Sequence, residues 1–87
     1  MKTGNITLVY KIGLDLALNT GIIMEANEQS IAIVKREDKR GVYYSINDRI
    51  NNVPQEQYHD TCLMTLLLIN QDRFKYPEYK SRISRFE

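Results

Sequence analysis

Apolar residues stand at Ile6, Leu8, Tyr10, Ile12, Leu14, Leu16 and Leu18, with Thr7, Val9, Lys11, Gly13, Asp15 and Ala17, mostly small or polar, between them. Alternation of this kind predicts a strand with one buried face, because successive side chains leave a pleated strand on opposite sides. On this reading Leu14→Asp unfolds the protein by burying a charge, and Thr7→Asp on the opposite face costs little. At about 3.3 Å per residue the strand would extend about 43 Å. A domain of this length is only roughly 30 Å across. Gly13, at the midpoint, therefore predicts a bend or bulge, since a residue without Cβ permits one. The alternatives are two strands joined at Lys11–Gly13, or one strand that projects and pairs with another chain.

Further along, Asn19-Thr20-Gly21 reads as a turn, Ile22-Ile23-Met24 as a short apolar strand, and Ala26–Gln29 as a polar turn. Ser30–Lys35 alternates as a strand. Glu37-Asp38-Lys39-Arg40-Gly41 reads as a hairpin loop with Gly41 at a positive-φ position. Val42, Tyr44 and Ile46 alternate in the returning strand, and Asn47-Asp48 is expected to break it. Asn52-Val53-Pro54-Gln55 carries helix-start signals, a cap, a proline in the first turn and a capping-box glutamine. From there Tyr58, Cys62, Thr65 or Leu66, and Ile69, widened by Leu63 and Leu67, predict a helix to about Asp72. After Pro77, Tyr79, Ile83 and Phe86 fall at i, i+4 and i+7 and predict a short second helix. The fold class expected is α+β: a small, strongly bent antiparallel sheet or partial barrel of about four to five strands over residues 5–47, followed by one longer and one short C-terminal helix.

Composition narrows the function classes. The chain has 87 residues, 43% hydrophobic and 26% charged, which suits one globular domain rather than a disordered chain. A formal charge of +1 advertises neither nucleic acid nor membrane. The single cysteine, Cys62, excludes an intrachain disulfide and points to a reducing, cytoplasmic setting. No apolar signal-peptide core follows Met1, and the longest apolar run, Cys62 to Ile69, is far short of the ~20 residues that span a bilayer.

Catalytic constellations are not evident. His59 and Cys62 share a helical face and could supply two zinc ligands, but the chain holds no other His or Cys to complete a site. Burial in the apolar stripe would raise the Cys62 thiol pKa and make it inert, and nothing is placed to orient His59 as its base. The carboxylates are scattered and the glycines isolated. No cofactor and no metal are expected, and the protein is expected not to be an enzyme.

Two segments carry recognition chemistry. Lys35, Arg36, Lys39 and Arg40 with Tyr43 form a basic hairpin beside an aromatic, suited to a single-stranded backbone and a stacked base. Glu37 and Asp38 cancel part of that field. Arg73, Lys75 and Tyr76 with Arg82 and Arg85 interleave cations with aromatics, which suits nucleic acid or a protein hot spot equally. The favoured expectation is a small non-catalytic cytoplasmic module acting through protein–protein contacts with a partner, itself or both. An inhibitor of host machinery from a phage or mobile element would have this character. The alternatives are an RNA- or single-stranded-DNA-binding small barrel, and an oligomer that sequesters a small ligand.

Overall fold

Most of the alternating segment is a helix. In the computed structural model, which describes residues 6–26, 29–50, 53–74 and 80–86, Ile6–Leu14 forms α1. Val9, Gly13 and Leu16 are buried, with Ile6, Tyr10 and Ile12 packed beside them. Those positions recur at three or four residues, the period of a helix with one apolar stripe. Nine residues at 1.5 Å rise need only about 14 Å, so the length that called for a bend disappears. Gly13 makes no bend. It sits where a Cβ would come within 2.6 Å of Leu63 Cδ2, letting two helices approach closely. The chain leaves α1 through Asn19, held at φ 63°, and Thr20 Oγ1 donates to Ala17 O at 2.6 Å.

Among the described residues five antiparallel strands follow: β1 (Thr20–Ala26), β2 (Gln29–Asp38), β3 (Gly41–Ile50), β4 (Val53–Asp60) and β5 (Lys80–Arg85), in the spatial order β4-β3-β2-β1-β5. The α+β class therefore stands, but the strongly bent sheet or partial barrel does not: a single sheet, not strongly curled, replaces it. The hairpin reading of 37–41 holds, with Asp38 opposite Gly41, Gly41 at φ 122°, and Arg40 N–H donating to Asp38 Oδ1 at 2.8 Å. Asn47-Asp48 does not end β3. Asn47 is buried, and its Nδ2 donates to Ser45 Oγ at 3.0 Å, which satisfies the amide inside the sheet.

The two C-terminal helices expected from the sequence are also replaced. Among the described residues of this half, Leu63–Ile69 is α-helical (α2) and a 3-10 turn follows over Gln71–Phe74. Residues 53–60 pair with β3 as an edge strand, where a proline is as admissible as in a first helical turn. The proposed cap at Asn52 lies outside the described residues. Beyond Pro77, Lys80–Arg85 is a strand against β1, because Ile83 fits opposite Ile22 and its neighbours alternate across the sheet. Tyr79 lies outside the described residues.

Both helices pack on one face of the sheet. Val9 and Leu16, with Leu63, Leu66 and Leu67 of α2, enclose Ile22, Met24, Ile31, Ile33, Tyr44 and Ile46, and Phe74 completes the cluster. The opposite face buries a smaller set, Ile23, Ala32, Val34 and Phe86. α1 lies over β1 and β2 and α2 over β3 and β4, and β5 ends the sheet on the α1 side.

Candidate interaction surfaces

The basic hairpin is divided by strand alternation. Lys35, opposite Tyr44, points to the helix face, where its Nζ donates to Leu14 O at 3.0 Å and stands 5.8 Å from the Tyr44 ring centroid. Lys35 thus closes the last turn of α1, whose carbonyls carry the negative end of the helix dipole. Arg36, its neighbour, points to the other face opposite Tyr43. Lys39 and Arg40 are exposed at the tip. Tyr43 meets His59 of β4 edge-on, with ring centroids 5.7 Å apart and planes at 69°. The sheet therefore brings together Arg36, Tyr43 and the tip cations Lys39 and Arg40, and removes Lys35 from the group.

The described residues of the second segment, Arg73, Arg82 and Arg85, stand apart from one another. Arg73 is ion-paired to Asp48 on the helix face. Arg82 Nη1 lies 2.9 Å from Glu25 Oε1 on the opposite face, and Arg85 stands opposite Thr20 at the far edge of the sheet. Lys75 and Tyr76 lie outside the described residues. His59 and Cys62 occupy a strand and a helix cap rather than one helical face, and His59 Nδ1 is 3.5 Å from Glu56 Oε2. Among the described residues no group of His, Cys, Asp and Glu is placed to hold a metal ion.

Cys62 departs from its expected setting. It is exposed at the cap of α2, not buried in the stripe. Hydrogen bonding from the Thr65 side chain, then from the Thr65 backbone and more weakly from that of Met64, holds its thiol below the ordinary value, against the opposing effects of partial desolvation and, smaller, the Asp60 carboxylate.

One surface was not legible as a site in the sequence. Beside β5 an open groove of about 350 Å³ is lined by Ile12, Leu16, Ala17, Thr20 and Ile83, with Asp15 among them. Ile83 is 62% exposed although it stands in register with buried Ile22. The only sequence signal for it was the two-residue period of Ser81, Ile83 and Arg85 against Lys80, Arg82 and Ser84, and that run is mostly polar.

Comparison with protein-family models, curated proteins and solved structures gave no match to this chain.

Its chemistry therefore rests on its own geometry: a mainly apolar groove beside Ile83 of β5, the last strand of the sheet among the described residues, and a basic, aromatic corner at the β2–β3 hairpin. Among the described residues no helix is long and apolar enough to cross a membrane.

Proposed function

We propose that this protein is a small non-catalytic binding module that works in a reducing, cytoplasmic compartment and acts through protein–protein contacts at β5 and the groove beside it. The supporting observation is Ile83, a large apolar side chain 62% exposed on an edge strand and lining an apolar groove. An edge strand offers a row of backbone donors and acceptors, and a partner strand gains affinity from them and selectivity from the side-chain pockets alongside. A module of this kind regulates its partner by occupying one of its surfaces.

A photo-crosslinking amino acid placed at Ile83, and separately at Tyr43, tests the reading in cells. Protein adducts from position 83 support it. Their absence removes its basis.

The basic corner favours a second reading, binding of RNA or single-stranded DNA. Arg36 opposite Tyr43, with Lys39 and Arg40 at the tip, places cations for phosphates next to an aromatic for stacking. It predicts nucleic-acid adducts from position 43 and binding that weakens steeply with salt. Lys39→Glu with Arg40→Glu would abolish that binding and leave the fold intact. Binding indifferent to salt and to these changes would eliminate it.

A further inference from the structure

We infer that β5, which ends the sheet among the described residues, pairs antiparallel along its outer edge with β5 of a second copy of this chain, in the register that sets Ile83 opposite Ile83 on a two-fold axis. This rests on the reading of β5 as the binding edge and names its occupant.

The backbone makes the edge available. Phe86 N–H donates to Asn19 O at 2.6 Å, toward β1. Along an antiparallel strand the backbone groups alternate in direction, so Arg82 and Ser84 also turn theirs toward β1. Ser81, Ile83 and Arg85 turn theirs outward. The opposite edge is guarded: β4 contains Pro54, which has no N–H, and its register against β3 shifts between Ile46 and Asn47. Proline and bulges discourage strand addition. β5 has neither and pairs with β1 without a register shift; its guard is charge alone, at Lys80, Arg82 and Arg85, so only a register that keeps these cations from facing one another can use it.

The side chains of β5 select the occupant. Two copies related by a two-fold axis normal to the sheet share one helix face, so directly opposed residues come from the same side and the axis passes through a residue pair. Centring on Arg82 opposes that residue to itself. Centring on Ser81 sets Lys80 opposite Arg82, and centring on Ser84 sets Ile83 against Arg85 and pairs only the end of the strand. Like charges directly opposite destabilise a sheet. Centred on Ile83, the strand sets Arg82 opposite Ser84 of the second copy and Arg85 opposite its Ser81. Guanidinium then meets hydroxyl, and isoleucine meets isoleucine. Glu25 already offsets the charge of Arg82, and in this register neither Lys80 nor Arg85 stands directly opposite a like charge.

The helix face agrees. Ile83 walls the groove together with Ile12, Leu16 and Ala17, and its outer side is open. In the symmetric pair the second copy's Ile83 covers that side, so two grooves join across the axis into one apolar seam.

The test uses Cys62→Ser protein carrying either I83C or S81C, both on the helix face. In this register the two I83C positions lie about 5.5 Å apart, as in any hydrogen-bonded antiparallel pair. The two S81C positions lie about 15 Å apart, because each faces residue 85 of the other strand. A short bismaleimide that bridges only the first gap should link I83C into a covalent dimer and leave S81C unlinked. Light scattering of Cys62→Ser protein should give twice the chain mass, and Ile83→Arg should return it to a monomer with an unchanged circular dichroism spectrum. A monomeric parent, equal linking of both variants, or a dimer that survives Ile83→Arg overturns the pairing. If the parent is monomeric while Ile83 still crosslinks to another protein, the pairing fails and β5 remains the binding edge. If position 83 gives no adduct of any kind, both fail.

Discussion

Lys35 Nζ donates to the carbonyl oxygen of Leu14 at 3.0 Å, tying the middle of β2 to the last turn of α1. A cation hydrogen-bonded to an otherwise unsatisfied carbonyl at a helix C-terminus is favourable by both charge and geometry. Lys35→Met keeps most of the aliphatic stem and removes the donor. It should lower stability by about 1 kcal/mol, read as a lower urea midpoint at an unchanged slope. An unaltered midpoint would mean that the contact contributes nothing in solution.

Exposure along α1 reverses the expectation drawn from alternation. Val9 is 2% exposed and Leu14 is 43% exposed. Val9→Asp places an unpaired carboxylate in the core and should cost more than about 4 kcal/mol, leaving little folded protein. Leu14→Asp should cost roughly 1 kcal/mol, mainly from a negative charge near the C-terminus of the helix. Comparable damage at both positions, by circular dichroism and thermal melting, would contradict the helix.

Gly21 is confined by its neighbours. A Cβ there would come within 2.7 Å of the Ile33 carbonyl oxygen, 2.9 Å of Val34 Cγ2 and 3.0 Å of Phe86 Cε1. The nearest atom is backbone and cannot turn aside. Gly21→Ala should therefore destabilise by about 1–3 kcal/mol as overpacking, despite the gain that removing a glycine usually brings to a strand. A Phe86→Ala background relieves only the ring contact, so most of the cost should persist there. A stabilised Gly21→Ala protein would show that the strands separate easily at this point.

Thiol chemistry at Cys62 should follow its hydrogen bonds. With the pKa below the ordinary value, the reactive thiolate is present at lower pH than for an unperturbed cysteine, and it is lost as pH falls through the lowered value. Alkylation by iodoacetamide, followed against pH, should rise to its plateau earlier than for a model thiol. Thr65→Val removes the largest cause and should move the profile to higher pH with the fold intact. An identical profile in the two proteins would rule out the Thr65 hydroxyl as the source.

The central hairpin was legible because its local and global signals agree. Val42, Tyr44 and Ile46 alternate, Gly41 accepts a conformation few residues adopt, and Ile31 and Ile33 supply the facing strand. The segment Ile6–Leu18 misled because Leu14 and Leu18 are apolar and yet exposed, 43% and 40%. Apolar residues at the surface are ordinary, but here they completed an alternation that the buried Val9 and Gly13 contradict. Residues 53–60 misled in the opposite sense. Pro54 and Gln55 suit a helix start as well as an edge strand, and tertiary pairing with β3 decided between them. The recognition residues were found singly, not as a set. Lys35, Arg73 and Arg82 are engaged by Leu14 O, Asp48 and Glu25, contacts that depend on which residues the sheet places side by side. Ile83 acquired significance only when β1 was seen to pair with a strand about sixty residues distant in sequence.

That distant pairing also imposes an order on folding. β1 can meet β2 across a short connection, but its other side waits until β2, β3, β4 and α2 have all been synthesised and β5 follows. Closing so long a loop is entropically slow compared with zipping neighbouring hairpins. During translation, then, β1 is itself the exposed edge, with Ile22, Ile23 and Met24 still unsheltered on that side, and the arrival of β5 transfers the vulnerable border from an apolar strand to a basic one.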